Sequence, residues 1–265
     1  QGAICAESGH INAHETGALE SVGHKCLTLP TSNGKITAKQ VDTLIQEHYS
    51  DASSEHTVQP GIVYISFPTE SGTLYSKQEL TELYTVCQNH NIPLFIDGAR
   101  LGYGLVAKKN DVTFEDIANL CDVCYIGGTK VGALFGECIV ILNDLYKKDF
   151  RYAIKQHGGM LAKGRMLGIQ FEELFKDNRY LTISKHAIDM ADILTEGFQS
   201  KGYHFYFPAE TNQLFPIFEN AKLEELSKEF AFTPWAKVDE THTAVRFVTS
   251  FATKRENVEY LLTKI

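Results

Sequence analysis

The chain alternates short apolar runs with longer stretches in which apolar residues return every third or fourth position. The short runs fall at 2–7, 25–30, 62–68, 92–98, 123–128 and 138–143, and each predicts a strand. Between them, 38–49, 76–91 and 113–121 carry the helical period. The second of these opens on Ser76 with Glu79 three residues on, the pattern of a capping box. Strands alternating with amphipathic helices predict parallel β-α-β units in a doubly wound, mostly parallel α/β sheet.

The rhythm changes in the second half. From Asp149 to Gln199 it is long and helical, most clearly over 161–175 and 186–199. Beyond Lys201 short strands are expected at 203–207, 214–218 and 244–251, around a helix over 223–230. This order predicts a large domain over 1–175 and a smaller C-terminal α/β domain over 176–265, with a helix running between them.

Charge narrows the partners. With 25 Lys and Arg against 33 Asp and Glu, the formal net charge is −8, and no basic run is present to meet a phosphate backbone. No apolar run reaches the length of a membrane span, and residues 1–10 lack a signal-peptide core. Neither nucleic acid nor a membrane is therefore an expected partner, and a cytoplasmic location is the expectation. The six cysteines are scattered among apolar residues, which predicts reduced, buried thiols. Cys121 and Cys124 form a C-x-x-C, but no second Cys or His pair follows, so the segment reads as a strand and no metal is expected.

Candidate chemistry lies where open α/β sheets place ligands, beyond the carboxyl ends of strands. The run at 92–98 ends on Asp97, with Gly98 and Arg100 after it. The run at 123–128 ends on Gly127 and Gly128, followed by Thr129 and Lys130. A partly desolvated lysine amine at a strand end condenses with an aldehyde. A carboxylate facing it holds a pyridine nitrogen protonated, the arrangement that makes pyridoxal phosphate an electron sink. The two glycines would let the backbone approach that cofactor closely. Spacing alone leaves open that Asp97 caps a helix and that Lys130 is a solvated loop residue.

The segments at 95–105 (FIDGARLGYGL) and 121–137 (CDVCYIGGTKVGALFGE) resemble the aspartate and lysine segments of the threonine aldolase / β-eliminating lyase family, which are fold-type-I pyridoxal-phosphate enzymes. The segments at 9–29, 65–76, 157–175 and 244–251 also resemble it, so the likeness runs along nearly the whole chain. It implies that Lys130 carries the cofactor as a Schiff base, that Asp97 pairs with the pyridine nitrogen and that His10 stacks on the ring, with His14 a competing position. It implies that Arg100 and Arg246 hold the substrate α-carboxylate, Arg100 also lying against the cofactor beside Thr129. Lys163 and Arg165 are weaker candidates for the cofactor phosphate, across a subunit interface. Ion pairing with Asp or Glu is the alternative role for the arginines. Fold-type-I enzymes build each site from two subunits, which implies a homodimer or homotetramer.

Two departures stand out. Many threonine aldolases carry a histidine against the substrate hydroxyl in the loop represented here by Thr69–Gly72, where this chain has Glu70; a carboxylate there is the candidate general base. The Gly-rich turn that holds the phosphate in the family has no counterpart before Gly9, so the N-terminal part of the fold is expected to be missing. The resemblance implies a lyase that cleaves the Cα–Cβ bond of a β-hydroxy amino acid to glycine and an aldehyde. A β-eliminating lyase is the alternative, and a catalytically inactive binding protein on the same fold is a third reading.

Overall fold

The computed structural model describes residues 1–265. Its first part comprises β1 (Gly2–Ala6), α1 (His10–Ala13), α2 (Ala18–Ser21), β2 (Lys25–Leu29), α3 (Ala38–Ser50), β3 (Pro60–Ser66), α4 (Lys77–Asn89), β4 (Leu94–Gly98), α5 (Leu101–Leu105), α6 (Phe114–Asn119), β5 (Val123–Ile126) and β6 (Cys138–Ile141). Then come α7 (Phe150–Gln156), α8 (Arg165–Phe175), α9 (Arg179–Ser200), β7 (Gln213–Leu214), β8 (Ile217–Glu219), α10 (Asn220–Leu226), β9 (Thr233–Lys237), β10 (His242–Val248) and α11 (Arg255–Lys264).

Strands β1 to β6 form one sheet in the order β2-β1-β3-β4-β5-β6. The first five are parallel, and β6 returns antiparallel beside β5. Period-two alternation divides each strand between two faces. Val63 and Ile65, Leu94 and Ile96, and Cys124 and Ile126 point into the main core. There they meet Val41 and Ile45 of α3, Leu80 and Leu83 of α4, and Ile117 of α6. Each fully buried leucine of this set contributes about 1.5–3 kcal/mol by leaving water. Tyr64, Phe95, Asp97 and Tyr125 have the opposite parity and take the other face.

Capping fixes where the crossover helices begin. Thr37 with Gln40, Ser76 with Glu79 and Thr113 with Asp116 all form reciprocal capping boxes. At the end of the sheet away from the ligand side, the buried Asp122 accepts from the Leu94 amide at 2.9 Å and from the Asn143 side chain at 2.7 Å. That carboxylate ties β4, β5 and the segment after β6 together.

The second sheet is antiparallel, with β10 between β7 and β8 and β9 also on β10. Its own core gathers Phe198, Leu214, Phe218, Val245, Phe247 and Leu261. The 22-residue α9 serves both cores: Tyr180, Ala187 and Ile188 belong to the first, and Met190, Leu194 and Phe198 to the second.

Three expected elements differ. The helical pattern over 161–175 starts only at Arg165, and α8 is separated from α9 because Asp177 and Asn178 take positive φ (51° and 56°). Short polar side chains tolerate that left-handed conformation, which breaks the helix. Residues 203–207 form no strand; a single bridge, Phe205 to Pro216, is their only sheet pairing. Their rings pack instead, Tyr203 and Phe205 against Phe198 and Phe207 against Phe215. The run at 214–218 is interrupted between β7 and β8, at Phe215 and Pro216.

Candidate active site

Register places the chemistry. Ser66, Asp97 and Tyr125 are cross-strand partners at the carboxyl ends of β3, β4 and β5. Strand order reverses at β1, which lies between β2 and β3, so the ligand crevice is expected beyond β1 and β3. Beyond β1 stands His10, and beyond β3 stands Glu70. A cavity of about 250 Å³ opens there, and its walls include Lys130, Asp97, His10, Glu70 and Arg100. These five side chains, spread over 121 positions from His10 to Lys130, therefore converge.

Lys130 lies in a single helical turn, Thr129–Val131, directly after β5. Val131 is fully buried and anchors the turn in the core, and the Tyr103 hydroxyl donates to the Lys130 carbonyl. The lysine side chain is open to the cavity, yet enough protein surrounds the amine that desolvation lowers its pKa, aided by the positive charge of Arg100. Asp97, Glu137 and Glu15 pull in the opposite direction. Asp97 is held at both oxygens: Tyr64 donates its hydroxyl to Oδ2 at 2.7 Å, and the Ala99 amide donates to Oδ1 at 2.9 Å.

Glu70 spans the reversal point. Its Oε1 accepts the His10 amide at 2.8 Å and the Ser66 hydroxyl at 2.6 Å, joining the carboxyl ends of β1 and β3. The His10 Nδ1 meets Glu15 Oε1 at 2.5 Å. His14 sits 5.3 Å from His10, ring to ring, and does not line the cavity.

Arg100 lies between β4 and α5, and Arg246 lies on β10 of the second sheet. Burial lowers the Arg100 pKa, and the charge of Arg246 lowers it further, while Glu70, Tyr103 and Asp97 oppose the effect. Arg246 lies over the Trp235 ring at 5.6 Å, and its buried Nε has no hydrogen-bond partner. Arg246 does not line the cavity, and its charge is felt at Arg100 from outside it.

Other candidates are placed differently. The Thr129 hydroxyl is turned onto Glu137 and does not line the cavity. Lys163 and Arg165 are exposed and lie outside it. Gly127 and Gly128 are required by the fold itself: a Cβ on Gly127 would run into the Ala99 carbonyl, and one on Gly128 would lie 2.6 Å from the Gly136 carbonyl. The cysteines Cys121 and Cys124 are buried, with desolvation pushing both thiols up, Cys124 to about 12. Sequence reading missed Tyr64, Ser66, Tyr125 and Glu15 in the cavity wall. The first three share the face of Asp97 by strand parity, the signal that could have found them. Desolvation raises the pKa of both phenols, with Asp97 adding to it at Tyr64 and Glu137 at Tyr125, so both remain donors.

A larger hollow, about 680 Å³, lies along the same sheet face toward the other strand ends. Ile62, Val123, Ile139 and Ile141 line it, with Phe95 shared between the two hollows. Its walls are mostly apolar, with His24, Lys148 and Asp149 among them, whereas the smaller cavity holds Lys130, Asp97, His10, Glu70 and Arg100 at the carboxyl strand ends and is the candidate site.

A mostly parallel sheet with a lysine turn after one strand, a carboxylate ending the next and a second antiparallel lobe defines the fold-type-I pyridoxal-phosphate enzyme architecture. The Beta-eliminating lyase family model matches residues 1–221, and the chain belongs to that family. It is 31% identical over 229 residues to a low specificity L-threonine aldolase of a Pseudomonas species, an alignment taking in 84% of this chain and 64% of the relative. It is 23% identical to the low specificity L-threonine aldolase of Saccharomyces cerevisiae, over 83% of this chain and 56% of that protein. The chain thus spans between 56% and 64% of the length of these curated relatives. The solved threonine aldolase of Leishmania major superposes with a TM-score of 0.95 at 42% identity, covering 99% of this chain and 75% of that one. No helix is long and apolar enough to cross a membrane.

Proposed function

We propose that this protein is a pyridoxal-phosphate-dependent lyase that cleaves a β-hydroxy amino acid to glycine and an aldehyde. The carrying observation is the convergence of Lys130, Asp97 and Arg100 in one cavity, with the charge of Arg246 felt at Arg100. The residues present fit the cofactor. An amine with a lowered pKa suits condensation with an aldehyde, and a carboxylate already braced by Tyr64 and Ala99 suits a pyridine N–H. When bound, pyridoxal phosphate supplies an electron sink for the pair released from the substrate Cα–Cβ bond.

The chain's own groups do the rest. Arg100 and Arg246 grip the α-carboxylate and fix which substrate bond faces the ring. Glu70 has Oε1 committed to His10 and Ser66, which leaves Oε2 to take the β-hydroxyl proton as the Cα–Cβ bond opens to the aldehyde. His10, braced by Glu15, covers the site from the β1 side. A proton delivered to Cα completes glycine. Exposed apolar residues, among them Leu134 (85%), Leu145 (79%) and Tyr152 (70%), support assembly as a homodimer or homotetramer.

The test is product analysis. Threonine or allo-threonine with cofactor should give glycine and acetaldehyde, and Lys130→Ala should give neither. Keto acid plus ammonia in their place would establish β-elimination, and a protein that binds no cofactor would establish the inactive reading.

A further inference from the structure

Glu137 stands immediately before β6 and reaches back across the loop that carries Lys130. One carboxylate oxygen accepts the Gly128 amide, and the other accepts the Thr129 hydroxyl, both in short contacts. The Thr129 amide also points at the latter, at 3.4 Å. Two consecutive residues directly before Lys130 are thus held by one side chain that the reaction above does not use. Neutral groups tie the rest of the loop. The Tyr180 hydroxyl donates to the Gly127 carbonyl at 2.9 Å, and Gln170 of α8 accepts the Leu134 amide at 2.6 Å and donates to the Phe135 carbonyl at 3.0 Å.

The close approach of Gly128 to the Gly136 carbonyl shuts the loop on itself and brings Glu137 under the turn. Gly136 has φ 86°, which a side-chain-bearing residue adopts poorly, so the reversal that aims Glu137 inward depends on glycine.

We propose that Glu137 is a positioning residue for Lys130: its carboxylate fixes the backbone from which the lysine side chain departs and sets a negative charge beside the amine. This rests on the reading of Lys130 as the cofactor-bearing lysine. The two effects are separable. The hydrogen bonds set direction, because Gly128 and Thr129 cannot rotate without losing them. The charge favours the ammonium form, against burial and against Arg100. The other groups facing the amine are Asp97 from β4, Glu15 from the loop after α1 and Arg100 before α5.

Competitive labelling of apo-protein lysines by acetic anhydride over a pH series, read peptide by peptide by mass spectrometry, gives the titration midpoint of Lys130 without any cofactor. Glu137→Gln keeps the shape and removes the charge, so the Lys130 midpoint should fall by roughly one pH unit, the lower end of the effect of a near charge. Glu137→Asp keeps the charge on a shorter arm and should return the midpoint to the wild-type value. An unchanged midpoint in Glu137→Gln, with other lysines also unchanged, overturns the proposal. In a parallel arm, pyridoxal phosphate is added and trapped with borohydride. If wild-type protein is modified at other lysines but not at Lys130, the cofactor reading fails, whatever the labelling midpoint does. If Lys130 is trapped and the Glu137→Gln midpoint does not move, only the role given to Glu137 fails.

Discussion

Tyr64 donates its hydroxyl to Asp97 Oδ2 at 2.7 Å across two neighbouring strands, while its ring stacks on Phe95 at 4.9 Å and 5°. The stack sets the phenol, and the phenol sets the carboxylate. A hydrogen bond to a charged group is worth about 1.5–3 kcal/mol. Tyr64→Phe keeps the stack and removes the bond. Turnover of threonine should fall by roughly tenfold or more, with the melting temperature little changed. Full activity in the variant would show that Asp97 is held by Ala99 alone.

The proposed arginine grip on the α-carboxylate predicts a defect specific to that group. Arg246→Lys retains charge and loses the planar fork, so kcat/KM should fall by about 10- to 100-fold, the value of a charge-assisted bidentate contact. Inhibition by small carboxylates should weaken in parallel. If amines lacking a carboxylate suffer as much as amino acids, Arg246 acts elsewhere.

Lys130 should make cofactor capture depend on pH. Its lowered pKa populates the reactive free amine at a lower pH than an ordinary lysine. The capture rate should rise with pH and level off before the usual lysine range near ~10.4. Arg100→Gln removes a positive neighbour and should move that midpoint upward. Stability follows the same group. Between the folded and unfolded pKa values the unfolded chain binds the extra proton, so the cost of Lys130 to folding is fully present below the folded pKa and is relieved as pH rises toward the unfolded one. Lys130→Met should flatten that part of the stability profile, measured by urea unfolding across pH.

Asp122 provides a contrast at the far end of the same strands. Asp122→Ala leaves the Leu94 amide and the Asn143 side chain without their acceptor and should cost about 1–3 kcal/mol per stranded group. Denaturant midpoints should fall while kcat of the remaining folded protein holds. A fall in kcat at unchanged stability would contradict this division of labour between the two ends of the sheet.

How much of this was legible in the chain varied with the physics involved. Strands β1 to β6 and helices α3, α4 and α6 were readable because apolar period and capping residues agree there. That Asp97 and Lys130 would share a cavity was readable because strand ends are where such sheets place ligands. The aromatic run at 203–207 misled, since strand preference measures fit to a half-buried surface and these rings found another one against Phe198 and Phe215. Helices α1 and α5 were invisible: they are four and five residues long, too short for a period to register. Nor could the local chain show the bracing of Asp97 by Tyr64 or of the Lys130 turn by Glu137. The first depends on the register of two strands, and the second on a loop that doubles back at Gly136.

One helix, α9, is built into both hydrophobic cores, while Arg100 precedes α5 and Arg246 lies on β10. On the proposed reading, a substrate anion held by both arginines would bridge two cores that share one continuous helix. The carboxylate grip would then depend on how α9 packs into each core, so a change far from the cavity could reach the substrate through that helix.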